Sequence, residues 1–249
     1  MSTDTPSSDG LVSVTGEPVH HGMGITATRA FPTNAYPAHL DPFVLFEQFS
    51  IDPETGFPMH EHRGFEIVSY MIEGGMEHED SLGVERTAYE GDAIGITTGS
   101  GIQHSEFSAD GKACTGLQLW VNLPRERKDA DPRFVDADAA DLPEAETNGA
   151  RVTTVVGEKS PIDLCTRLKY LDVHVTDSWT WDIPAGWTGF LYVLDGSGSI
   201  EETAIDQGDV TIVIERESLT VASSGSLRAV AVSGRPHGEP ITQRGPFVL

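Results

Sequence analysis

The chain has 249 residues, enough for one large domain or two of modest size, each with a proper core. Its 39 Asp and Glu against 16 Lys and Arg give a net charge of -23, which repels nucleic-acid phosphates and anionic membranes and argues against both as direct partners. No apolar run is long enough to span a bilayer.

The first residues, MSTDTPSSDG, lack the basic start and apolar centre of a secretory signal and read as a disordered tail over residues 1–10. The two cysteines, Cys114 and Cys165, form no CxxC pair, so a reduced cytoplasmic protein is expected. Lys is scarce beside Arg, and with so acidic a surface this suggests a molar-salt cytoplasm. There the Debye length is roughly 3 Å and self-repulsion costs little.

Short extended pieces around Val12, Val14 and Ile25 are interrupted by Pro18, Gly22 and Pro32. Residues 40–49 form an apolar run that reads as a buried strand. Residues 65–72, rich in β-branched and aromatic side chains, read as another. It ends at the turn Glu73-Gly74-Gly75 and returns over residues 76–80. Gly91-Asp92 is a further turn before a strand at 93–97, and residues 115–123 close the first half. Residues 124–149 turn polar, and 136–149 read as a linker between units at 11–135 and 150–249. Strands resume at 151–156, 168–175 and 188–194. Helical periodicity is absent, so the chain is expected to be all-β.

The second half echoes the first. Tyr70-Met71-Ile72-Glu73-Gly74 matches Tyr192-Val193-Leu194-Asp195-Gly196 at an offset of 122, and Gly91-Asp92 matches Gly208-Asp209 at 117. Two duplicated β units explain both matches.

The chemistry lies in two motifs, His60-Glu61-His62 and His104-Ser105-Glu106. Side chains two apart on a strand share a face. If the two strands meet inside one barrel, three imidazoles and a carboxylate converge. That donor set, with positions left for water or substrate, suits Fe(II), Mn(II), Cu(II), Ni(II) or Zn(II). Carried over by the two offsets, the four residues fall on Asp182, Pro184, Val221 and Ser223, so only the first unit is expected to hold a metal.

These motifs resemble the two boxes of the cupin superfamily. The stretches at 40–43, 56–66, 70–74, 77–81, 99–106 and 116–124, and the end at 238–241 and 245–248, are similar to the pirin family. The resemblance implies a bicupin of two antiparallel jelly-roll barrels in tandem, with metal in the first only. It assigns the ligands to His60, His62, His104 and Glu106, and one divalent ion per chain, Fe(II) foremost, with Mn, Cu, Ni, Co or Zn as alternatives. It implies a quercetin-type dioxygenase acting with O2 on a flavonol or another enol. Glu106, a carboxylate within hydrogen-bond reach of a bound substrate hydroxyl, is the candidate base for its proton. The alternative it offers is a metal- or redox-sensing protein that modulates partners such as transcription factors. A monomer is expected.

Glu66 shares strand parity with His60 and His62, and many cupins use a Glu there. It lies four residues from His62, about 13 Å at roughly 3.3 Å per residue, so a role behind the ligands, with Arg63 as counter-charge, is the alternative. Phe57, Met59 and Phe65 read as core more readily than as pocket lining.

Overall fold

The computed structural model describes residues 10–249. The tail expected to be disordered lies outside the described residues except for Gly10, whose carbonyl accepts the N–H of Ile214 at 2.9 Å. In chain order the first strands are β1 (Leu11–Thr15), β2 (Glu17–Gly22), β3 (Ile25–Phe31), β4 (Phe43–Ile51), β5 (Gly56–His62), β6 (Phe65–Glu73) and β7 (Gly75–Asp80). They continue as β8 (Glu85–Tyr89), β9 (Ala93–Thr97), β10 (Ile102–Ser108), β11 (Cys114–Asn122), β12 (Arg133–Ala137), β13 (Glu144–Thr147) and β14 (Ala150–Val156). The last are β15 (Leu168–Val175), β16 (Ser178–Asp182), β17 (Thr188–Ile200), β18 (Thr203–Asp206), β19 (Asp209–Val213), β20 (Ser218–Gly234), β21 (Gln243–Arg244) and β22 (Phe247–Val248). Among the described residues there is no α-helix, and no helix long and apolar enough to cross a membrane.

The first unit is a sandwich. A sheet in the order β12-β9-β6-β11-β4-β3-β2 faces a smaller one in the order β5-β10-β7-β8. The second unit repeats the large sheet strand for strand as β1-β19-β17-β20-β15-β14-β13, with β16 beside β20 and β18 beside β17. All these pairings are antiparallel. The duplication legible in the sequence is therefore a structural one. Tyr70 pairs with Ala93 as Tyr192 pairs with Val210, and the Gly91 and Gly208 turns have φ of 83° and 85°.

The unit boundaries differ from the expected ones at both ends. β1 does not belong to the first unit but caps the open edge of β19, the place that β12 fills beside β9. An uncapped edge would leave a row of unpaired N–H and C=O groups. The first unit runs on through Ala137, and the expected linker at 136–149 finishes β12, makes a 3-10 turn at Ala139–Asp141 and supplies β13. The last residues leave the second unit and lie on the first: Val248 N–H donates to Arg63 O at 3.0 Å, and Phe247 bridges to Arg63.

Three cores result. One fills the first barrel around Phe65, Ile67 and Met71, one fills the second around Trp181 and Val221, and one lies between the two large sheets. Alternation on β6 explains the split, because Phe65 and Ile67 face the barrel while Val68 and Tyr70 face the other unit. Between the units Phe31, Phe43 and Phe46 pack around Phe190 with ring centroids 4.9, 5.4 and 4.8 Å away. Polar clamps also cross this interface. Tyr70 Oη donates to Asp172 Oδ2 at 3.0 Å, and Arg228 donates to the same carboxyl at 2.8 and 3.2 Å.

Candidate metal centre

β5 and β10 are neighbours in the small sheet, with His104 opposite His60 and Ile102 opposite His62. His104 and Glu106 point inward together, as their spacing requires, while Gln103 and Phe107 are exposed. The imidazoles of His60, His62 and His104 come together, with ring centroids 4.4 to 5.0 Å apart. One ring nitrogen from each lies within 4.8 Å of the other two.

Hydrogen bonds fix two of the tautomers. His60 Nδ1 lies 2.9 Å from Pro58 O, and His62 Nδ1 lies 3.2 Å from Pro246 O. A carbonyl only accepts, so both Nδ1 atoms carry the proton, and in the neutral rings both Nε2 atoms present lone pairs. Those two Nε2 atoms are 3.0 Å apart. Two neutral acceptors facing each other at that distance repel. Two ligands about 2.1 Å from one ion and at right angles would stand about 3.0 Å apart. His104 is fully buried with no partner on either ring nitrogen, and Glu106 Oε1 is buried without a partner as well. Unpaired polar atoms in a protein interior are costly and rare. The residues present therefore fit a divalent cation.

Electrostatics point the same way. Burial, then the neighbouring His104 and His60, push the His62 imidazole down to about 3. Burial, then His60 and His78, hold His104 well below the usual imidazole range. Both rings are neutral at ordinary pH and free to donate lone pairs.

Glu106 stands slightly apart. Its carboxyl groups with His104 and His78 within 4.8 Å rather than with the three-imidazole set, and Oε1 is 4.0 Å from His104 Nδ1. Its other oxygen is held: Trp120 Nε1 donates to Gln118 Oε1 at 3.0 Å, and Gln118 Nε2 donates to Glu106 Oε2 at 3.3 Å. Trp120 also packs edge-on against His62, with centroids 5.0 Å apart. The sequence reading missed Gln118 and Trp120, although both sit on the same face of β11, two residues apart. It also missed His78, buried on β7 with Nε2 3.2 Å from Asp80 Oδ2. The signal was the buried alternation Met76, His78, Asp80.

Glu66 is not at the centre. It is fully buried on the other face of the large sheet, where Thr97 Oγ1 and Cys165 N–H donate to Oε1 at 2.9 and 2.8 Å and Thr166 N–H donates to Oε2 at 2.9 Å. The parity argument fails at Gly64, whose φ of 85° ends β5 and lets β6 start in a different sheet. A Cβ there would meet Val248 O at 2.0 Å, so this position needs glycine for the docked C-terminus as well. Arg63 does not face Glu66; it pairs with Asp129 at the surface. Phe65 is core, Met59 is exposed, and Phe57 lines the cleft beside His60 because a bulge in β5 lies between them.

The cleft above the imidazoles has a volume of about 210 Å³. His60, His62 and Glu106 form one side, and His21, Arg29, Glu47, Gln118 and Gln243 line the rest with Phe57, Leu45 and Trp120.

In the second barrel the strand registers place the equivalents of His60 and His62 at Trp181 and Ile183, and those of His104 and Glu106 at Leu219 and Val221. The expected positions, Asp182, Pro184, Val221 and Ser223, were one or two residues out because turns of different length separate the strands. All four actual equivalents are buried and apolar.

Two sequence families match the chain: the pirin family model over residues 24–121 and the pirin C-terminal cupin domain over residues 170–249. The chain belongs to the pirin family. Pirin-1 of Arabidopsis thaliana is 40% identical over 223 residues, covering 84% of this chain and 77% of that protein. Human pirin is 36% identical over 224 residues, covering 85% and 77%. Among solved structures, a Geobacillus kaustophilus protein superposes with a TM-score of 0.84 at 28% identity, covering 92% of this chain and 96% of its own. A quercetin 2,3-dioxygenase from Acinetobacter baumannii gives 0.86 at 26%, covering 97% and 91%. The fold is thus the two-domain pirin fold.

Proposed function

We propose that this pirin is a dioxygenase acting on a small enolic substrate at one metal ion held by His60, His62, His104 and Glu106, with Fe(II) as the native metal. The observation that carries it is the pair of converging, unprotonated Nε2 atoms at the floor of an open cleft. The ion would supply Lewis-acid activation of a substrate hydroxyl and a redox partner for O2. The remaining work falls to the chain. Burial keeps His62 and His104 neutral and able to bind metal. The Trp120–Gln118 relay holds one Glu106 oxygen and leaves Oε1 to accept the substrate's hydroxyl proton. Phe57, Leu45 and Trp120 give the cleft apolar walls that keep bulk water from the reacting atoms.

The structural relative named a quercetin dioxygenase supports the reaction class. The cleft argues for a smaller substrate, since its volume of about 210 Å³ is below the roughly 300 Å³ at which drug-sized pockets begin. Flavonol turnover is therefore expected to be slow, as a side activity. An open cleft over the cluster favours this reading over a sensor with a closed site. The test is oxygen uptake and loss of flavonol absorbance with Fe(II)-loaded protein beside His62→Ala. Equal uptake by both, at the rate of free iron, would sink the enzyme reading and leave the sensor.

A further inference from the structure

The wall of the cleft that faces the imidazoles is charged, and the metal centre does not explain why. It is built from His21 on β2, Arg29 on β3 and Glu47 on β4. Glu47 is 4% exposed and directly follows the buried apolar run Phe43–Phe46 of β4. Its Oε1 lies 2.8 Å from His21 Nε2, and its Oε2 accepts Arg29 Nε and Nη2 at 2.9 and 2.7 Å. Burial pushes the Glu47 carboxyl up, but His21 and Arg29 outweigh it and hold it below the usual carboxylate range.

A buried ion pair contributes little to stability compared with apolar residues of the same volume. Its value here lies in what it leaves over. Among the described residues Arg29 is the only Arg or Lys lining the cleft, and both Glu47 oxygens are already taken. The guanidinium meets Glu47 through Nε and one Nη2 hydrogen. Nη1 has no protein acceptor among the described residues, so the Nη1–Nη2 end remains as a two-pronged donor. That fork matches a carboxylate bidentately. Glu47 fixes its direction and His21 stands beside it. Phe57 lies between the two sides, its ring 5.7 Å from His21 and 5.9 Å from His60.

We propose that the cleft selects an enol that also carries a carboxylate, with the enol oxygen towards the imidazoles and the carboxylate on the Arg29 fork. This rests on the enol-binding reading above and narrows it to small 2-oxo or enol acids. Charge balance agrees. A divalent ion with Glu106, and Arg29 with Glu47, leave one net positive charge for an anion. The small volume excludes a flavonol more readily than it excludes such an acid.

The test uses a matched pair of probes on the nickel-loaded full chain, followed by calorimetry. Acetylacetone is a neutral enol, and acetopyruvate is the same enol with a carboxylate in place of a methyl group. Acetopyruvate should bind at least tenfold tighter. The Arg29→Gln/Glu47→Gln double variant removes both charges and keeps a hydrogen-bonded pair. It should bind acetopyruvate no better than acetylacetone, with acetylacetone affinity and nickel content unchanged. If the double variant loses nickel, Arg29→Lys carries the test: it keeps the charge without the fork and should reduce the preference at least threefold. Equal affinity of both probes for the wild type overturns the carboxylate inference and leaves the enol reading standing. A preference that survives in the variants also overturns it, because the ion alone would then be reading the carboxylate. Failure of both probes to bind overturns the enol reading itself.

Discussion

Replacing Glu66 by Ala separates the interface between the units from the metal centre. The side chain is fully buried and accepts three hydrogen bonds, from Thr97 Oγ1, Cys165 N–H and Thr166 N–H. In Glu66→Ala the Thr97 hydroxyl can rotate to another acceptor, but the two backbone donors cannot. A buried donor left without a partner costs about 1–3 kcal/mol, and Cys165 N–H, nearer the surface, falls at the low end. The expected loss is roughly 2–4 kcal/mol out of a typical 5–15. For a chain of this size that is a fall in Tm of about 4–16 °C. The metal-free protein is compared with its variant by thermal and urea unfolding, and metal content is measured after loading and gel filtration. Glu66→Ala should be clearly destabilised yet hold metal at the wild-type ratio, whereas Glu106→Ala should lose metal with little change in the metal-free Tm. A Glu66→Ala protein of normal stability that fails to retain metal would refute the reasoning.

Other outcomes follow from the same geometry. Elemental analysis should find one tightly held ion per chain, because the second barrel has Trp181, Ile183, Leu219 and Val221 where the first has its proposed ligands His60, His62, His104 and Glu106. Ending the chain before Gly245 removes Pro246 O from His62 Nδ1 and Val248 O from Lys128 Nζ. Metal affinity should fall about 10–100-fold in a chelator competition, the usual cost of losing a ligand's orienting partner. Arg228→Ala leaves the Asp172 carboxyl buried with only Tyr70 as partner, and should cost roughly 3–5 kcal/mol in urea unfolding without altering metal content.

The convergence of the three imidazoles was legible because strand periodicity is local: His60 and His62, or His104 and Glu106, share a face whatever the rest of the chain does. The duplication was legible because equivalent turns kept Gly91-Asp92 and Gly208-Asp209. Glu66 misled because the same periodicity was carried through Gly64, where the chain changes sheet. The β1 exchange and the docking of residues 246–248 were hidden for a different reason. Both depend on which distant strand edge is left open, and an edge is a property of the assembled sheet. His21, Arg29 and Glu47 each look ordinary alone on three separate strands, and only the lateral order β4-β3-β2 makes them one wall.

Acid should destabilise the metal-free protein in a defined window. The unfolded chain's imidazoles titrate near 6.5. In the folded state burial, with His104 and His60 behind it, lowers His62 to about 3, and burial also holds His104 well down. Between those limits the unfolded chain binds protons that the native state refuses. Stability is therefore full above pH 6.5 and falls as the pH drops towards 3. Each unit of separation corresponds to about 1.4 kcal/mol, so His62 alone accounts for a loss of several kcal/mol across the window, and His104 adds to it in the same direction. Replacing both rings, as in His62→Gln/His104→Gln, should flatten the stability-against-pH curve between pH 4 and 6 relative to wild type, measured by urea unfolding with a chelator present. Parallel curves for the two proteins would mean that the rings do not resist protonation in the folded chain, and the argument for a cluster of neutral, metal-ready imidazoles would lose its electrostatic support.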